Sequence, residues 1–397
     1  MLNNFLLGLF ILFTLRGWLV VNLNIPSQIL YPLFGFLLVA MSVYGYIIRS
    51  TLTDVHLIAV KNLIKLNLLM GVYFVFSEYI LGGLIDISFA YIFLAPYLVF
   101  VFMRLPVSGI NIAFIIIAIG LVFSIFENFY NSVILGGGYN YLMDYNLEIR
   151  PDFDGVGTSG GDNFRIGGVT GSFHDSANIL GMLGVYFFIK FLISRSYKFL
   201  FMTLLVFVAI LLTYSAANII LAVFICISFS LYIMYRLKST WIYNVMLAMF
   251  AIILLIIYIV PELFGFIDRA GPEGDYEGMM LSLSIGMLSS PHFWLGHGVL
   301  FNSEWMFTEV AFLKGIHQFG IIPATWLYGM LIYPLWFYLK NSKRFFSALP
   351  NLAAIVFGFS SLLHYASLFR ITNVAIFFAM YALFLTHILS EYDNYQP

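Results

Sequence analysis

Apolar runs close to 20 residues long recur along the whole chain, separated by short polar connections. About 20 helical residues are what it takes to cross roughly 30 Å of hydrocarbon. The pattern predicts twelve helices, at 4–21, 28–48, 62–82, 85–103, 107–129, 173–194, 198–214, 217–235, 242–260, 305–339, 348–365 and 371–390. The tenth is too long for a single crossing. It is expected to begin as an amphipathic or re-entrant segment (305–317) and to cross from about 319. Residues 4–21 have neither a charged leader nor a cleavage site, so they read as a retained first span. The expected fold class is all-α: residues 1–397 form a single transmembrane domain, a polytopic membrane protein of about 12 transmembrane helices.

Composition reinforces this pattern. Of the 397 residues 62% are hydrophobic and 9% charged, with a mean hydropathy of +0.98, whereas soluble domains carry about 25% charged residues. The net charge of −1 leaves no basic footprint for nucleic acid. Cys226 is the single cysteine, which excludes a disulfide within the chain and cysteine-based metal sites. Lys and Arg then set the orientation. Arg49, Lys61, Lys65, Arg104, Lys190, Arg195, Lys198, Arg236, Lys238, Lys340, Lys343 and Arg344 all fall on one side of the twelve-helix pattern. Only Arg150, Arg165, Arg269 and Arg370 fall on the other. The first side is therefore expected to be cytoplasmic, with both termini there. Two connections, 130–172 and 261–304, are much longer than the rest and lie on the outer side. Loops this long in a compact bundle are usually functional or disordered.

Ionisable groups inside spans are few. Arg16, Glu78, Asp86, Glu127 and Arg370 map to the outer third of their helices, and Lys314 and His317 follow the second long loop. Such residues are costly in hydrocarbon and commonly mark function, although interface-level helix ends also hold them. A proton-coupled transporter would place carboxylates nearer the midplane. Two segments concentrate the chemistry. The first, Arg165-Ile-Gly-Gly-Val-Thr-Gly-Ser-Phe-His174-Asp-Ser-Ala-Asn178, leads into a helix. Its arginine, glycines and helix N-terminus suit an anion; alternatively Ser172 or Asp175 simply caps the helix and Arg165 is solvated. The second is Leu295-Gly-His297-Gly298, followed by Glu309 at the head of a helix, His317 two turns on, and Gly320. Glu309 is either a carboxylate stabilised by the helix dipole or a general base in a partly dry cleft.

This arrangement resembles the superfamily of Wzy-type O-antigen polymerases and O-antigen ligases, whose members share many helices and a large outer loop with an arginine just before a helix. Arg165, Gly168 and Asn178 match the loop-to-helix motif. Leu295-Gly-His297-Gly298 matches the later turn, and Gly320 matches the glycine beyond the key residue. In the ligases that key residue is a histidine; here it is Glu309, with no asparagine after it. The arginine that ligases carry in a turn between two later helices is replaced by Thr213-Tyr-Ser-Ala-Ala-Asn218. Both departures point to a polymerase.

The resemblance implies a GT-C-like polymerase/ligase architecture and an enzyme of the bacterial inner membrane, acting at its outer face without cofactor or metal. It implies that undecaprenyl-diphosphate-linked oligosaccharides are the substrates, membrane lipid the surroundings, and a chain-length regulator protein a candidate partner. Arg165 and Arg269, with Arg16 and Arg370 in reserve, would bind the departing diphosphate. Glu309, ahead of His317, would be the catalytic base. His174, Asn178 and His297 would meet the sugar. Other readings stay open: a ligase or related lipid-dependent glycosyltransferase, or a transporter or flippase of lipid-linked oligosaccharide.

Overall fold

The computed structural model describes residues 2–23, 27–49, 60–61, 63–65, 67–69, 71–73, 94–135, 167–170, 172–213, 215–238, 240–259, 293–294, 296, 311–341, 346–363, 368 and 370–393. No strand occurs among them. In chain order the helices are α1 (Leu2–Thr14), α2 (Arg16–Leu23), α3 (Ser27–Arg49), α4 (Ala95–Arg104), α5 (Val107–Phe129), α6 (Phe173–Ser194), α7 (Tyr197–Leu212), α8 (Ala216–Leu237), α9 (Thr240–Ile259), α10 (Ala311–Phe319), α11 (Ile321–Asn341), α12 (Leu349–Ser360) and α13 (Ile371–Asp393). Among the described residues, four segments are long and apolar enough to cross a membrane: α5, α6, Ala217–Leu237 within α8, and Phe346–Leu363 around α12. The chain is a helical membrane protein.

Large apolar side chains form exposed stripes on α5 and α8. On α5 Ile112, Ile116, Ile119 and Phe123 are exposed, at three- and four-residue spacing. Ile110, Phe114, Ile117 and Leu121, on the other face, are fully buried. The same alternation appears on α8, where Ile220, Phe224, Ile227 and Leu231 are exposed. Stripes of this kind would be a liability in water and are ordinary against hydrocarbon.

The chain resolves into two compact units, residues 1–36 with 106–270 and residues 37–105 with 271–397. In the first, α6 is the central post, with α5, α7 and α8 packed around it. Phe114 meets Tyr186 edge to face at 5.6 Å, and Phe187 stacks on Phe199 at 6.2 Å. These contacts make α5 and α7 antiparallel to α6. Close approach depends on small residues, as it does between membrane helices generally. A Cβ on Gly184 would lie 3.0 Å from Val206 Cγ1. The first span, expected unbroken, turns at Leu15 between α1 and α2. It runs parallel to α5, with Phe10 edge-on to Phe114 at 6.3 Å and Leu15 against Gly120.

In the second unit α13 is buried along most of its length, between α4 and α12. The segment expected at 305–339 is broken at Gly320, whose φ of +79° ends α10 and turns the chain into α11. The two helices fold back on each other. Tyr328 donates its hydroxyl to the carbonyl of Phe312 at 2.9 Å, and the two rings stack at 4.3 Å. Each contact residue is eight positions from Gly320, roughly 12 Å of helix on either side, so only an acute bend brings them together. Gly315 lies against the Tyr328 ring: a Cβ added there would stand 3.0 Å from its Cζ.

Cys226 is buried on α8 and is the chain's single thiol, so a thiol-reactive fluorogenic dye reports unfolding. Gly184→Leu should lower the unfolding midpoint, costing about 1–3 kcal/mol through overpacking. Gly8→Leu should leave it unchanged, because nothing lies within 4 Å of its added Cβ. Equal midpoints for the two variants would remove the role assigned to Gly184.

Candidate functional site

The two ends of the first unit differ in chemistry. At one end lie the α6–α7 and α8–α9 turns with Arg195, Lys198, Arg236 and Lys238. Arg195 packs over Trp241 at 5.2 Å, which brings these two turns together. At the other end α5 terminates, the chain leaves for the first long loop, and it returns at 167–170 before entering α6. Lys and Arg are absent from the α7–α8 turn there, Thr213-Tyr-Ser215.

That second end carries a corner built largely from its own hydrogen bonds. Residues 168–170 form a single 3-10 turn, fully buried. Val169 donates its amide to Ser124 Oγ on α5 at 3.1 Å. Thr170 Oγ1 lies 2.7 Å from both the Ser172 carbonyl and Ser176 Oγ, and Ser176 also bonds the Gly167 carbonyl. Ser172 is the N-cap of α6, accepting from the Asp175 amide at 3.4 Å. Of the two roles open to this segment in the sequence, the capping one is therefore taken by Ser172. The amide it takes up is one an anion would otherwise use.

Gly168 has φ +60°, and its added Cβ would stand 2.6 Å from Ser124 Oγ and 2.9 Å from Ile125 Cγ1. Its missing side chain thus lets the corner seat on α5. The glycine faces a helix here, where the sequence suggested close approach to a ligand.

Arg16 stands at the α1–α2 break on this same end. The neighbouring Gly17 packs its Cα onto the Val169 carbonyl, so the break abuts the corner. The guanidinium is half-buried, donates to the Phe13 carbonyl at 3.4 Å and sits 5.9 Å from the Phe13 ring centroid. His174 and Asn178, in the first two turns of α6, are buried at 9% and 0% exposure. Any sugar contact by either residue therefore requires access from the loop side. Sequence reasoning passed over three buried polar residues at this end. Asn128 is fully buried near the end of α5, and Ser215 accepts from Asn218 Nδ2 at 2.9 Å at the start of α8. Their only signal was polarity without charge beside a span end.

In the second unit the two halves of the later motif meet. Gly296, at φ +78°, lies against the Gln318–Gly320 backbone, and its added Cβ would be 2.6 Å from the Gly320 nitrogen. Gln318 is buried, with an Oε1 that finds no hydrogen bond among the described residues. Arg370 is exposed and immediately precedes α13, accepting the Val374 amide at its carbonyl. His317 is on α10. Glu309, Arg165, Arg269 and His297 lie outside the described residues.

Gly168→Ala and Ser124→Ala should each destabilise the fold by about 1–3 kcal/mol, the first through strain and crowding, the second by stranding the Val169 amide. The double variant should cost less than their sum, because Ser124 Oγ is the atom the new methyl meets. Dye-monitored unfolding of all three checks this, and strict additivity would count against the contact. A scan of the chain against protein-family models and a search of curated proteins each found no match.

Proposed function

We propose that this chain polymerises undecaprenyl-diphosphate-linked oligosaccharide repeat units into O-antigen or capsular polysaccharide. The bundle has about twelve spans, both termini are cytoplasmic, and the loops 130–172 and 261–304 lie on the outer face of a bacterial inner membrane. The observation that carries the reading is the asymmetry of the first unit. Its basic turns gather at one end, and buried Ser124, Asn128, Thr170, His174 and Asn178 gather at the other, beside Arg16 and the foot of the first long loop. Positive turns favour the cytoplasmic side, which leaves the polar end outside.

In the proposed reaction the anomeric carbon–oxygen bond to the diphosphate of the growing chain breaks. A hydroxyl of the incoming repeat unit forms the new glycosidic bond and gives its proton to Glu309, with His317 as the alternative base. The departing diphosphate is met by Arg165 and Arg269, with Arg16 and Arg370 in reserve. Each such contact is typically worth about 3 kcal/mol in a poorly hydrated site. The bond energy arrives with the activated substrate, so no nucleotide is needed.

Arg165→Ala and Glu309→Ala should each abolish long-chain polysaccharide on a gel while the protein stays at normal level in the membrane. Deletion should accumulate glycans carrying a single repeat. Loss of all surface attachment instead would assign the chain as a ligase, and unchanged ladders from both variants would end the proposal.

A further inference from the structure

The basic end of the first unit holds a second arrangement that glycosyl transfer does not use. Lys190 lies one turn before the end of α6, half-buried, and donates to the Tyr186 hydroxyl at 2.6 Å. Tyr186 in turn donates to Asn111 Oδ1 on α5. The relay fixes the ammonium in place. It sits 4.9 Å from the Tyr186 ring centroid and 5.1 Å from that of Phe199. Lys198, from the first turn of α7, lies 4.9 Å from the same Phe199 ring.

Two like charges thus share one aromatic ring. An ammonium has three donors, and Lys190 spends one of them on Tyr186. Neither lysine has a carboxylate partner among the described residues. Residues 186–200, 230–245 and 105–112 contain no Asp or Glu. A fixed, half-buried cation and an exposed one on the same ring repel each other unless an anion approaches both. The anion that membrane surroundings offer at a helix end is a lipid phosphate.

We infer that Lys190 and Lys198 bind the headgroup phosphate of an anionic phospholipid at the α6–α7 turn. Asn111 and Tyr186 position Lys190, and the exposed ring of Tyr197 beside them suits the headgroup level of a bilayer. The relay holds Lys190 in one position, which separates the site from the diffuse attraction any basic surface exerts.

The test is the unfolding midpoint of the full chain in neutral detergent, read with the thiol dye at Cys226. A ligand that binds only the folded state raises that midpoint. Short-chain phosphatidylglycerol should raise it, and short-chain phosphatidylcholine or inorganic phosphate at equal concentration should not. Lys190→Gln and Lys198→Gln should each weaken the phosphatidylglycerol response on the order of five- to tenfold, from roughly one lysine's share of lipid attraction. Tyr186→Phe should weaken it less. Arg236→Gln with Lys238→Gln, at the same end, where Arg236 packs over Tyr232 at 6.0 Å, should leave it intact. An equal response to phosphatidylcholine or phosphate overturns the inference, and so does equal weakening in the Arg236/Lys238 pair. Should Lys190→Gln show no folded transition, exposed Lys198 carries the test alone: an unchanged response there is disproof.

Discussion

Hydrocarbon offers no water to a polar group, so every donor and acceptor in a span must find its partner within the protein. Hydroxyls within the helices obey this in the simplest way. Thr14 bonds the Phe10 carbonyl, Thr203 the Phe199 carbonyl, and Ser230 the Cys226 carbonyl, each four residues back. Larger polar groups cannot be hidden in this manner and are pushed to helix ends. In the first unit that pressure produces two unlike termini, one lined by basic turns and aromatic rings, the other by neutral polar side chains and Arg16 beside a buried corner. The proposed sites for chemistry and for lipid then lie at opposite ends of one short bundle.

Much of this was legible because burial in lipid and apolar character are nearly the same signal. The runs at 107–129 and 173–194 coincide with α5 and α6. The excess length of 305–339 correctly implied a break, which falls at Gly320, one residue beyond the expected crossing point. The fold-back of α10 onto α11 was less legible, since it rests on one tyrosine hydroxyl and one glycine that hydropathy does not register.

The candidate site was legible only in outline. An arginine within the first span stood out, but nothing in its neighbourhood named residues 167–170 as the surface against which the α1–α2 break would lie. Gly168 was readable as a position needing freedom. Whether that freedom served a ligand or the flank of α5 depended on Ser124, 44 positions earlier in the chain. Close approaches across such separations leave no periodicity. The capping role of Ser172 was readable as one of two options, and only the backbone geometry chose between them.

The enclosure of α6 has a consequence for how the protein is made. Most of that helix is buried, yet it is less apolar than α5, which keeps one face on lipid. Synthesis delivers α6 before α7 and α8, so at its birth the helix that later meets almost no lipid has half its shield missing. Full enclosure of α6 thus waits on α7 and α8, which pack against it.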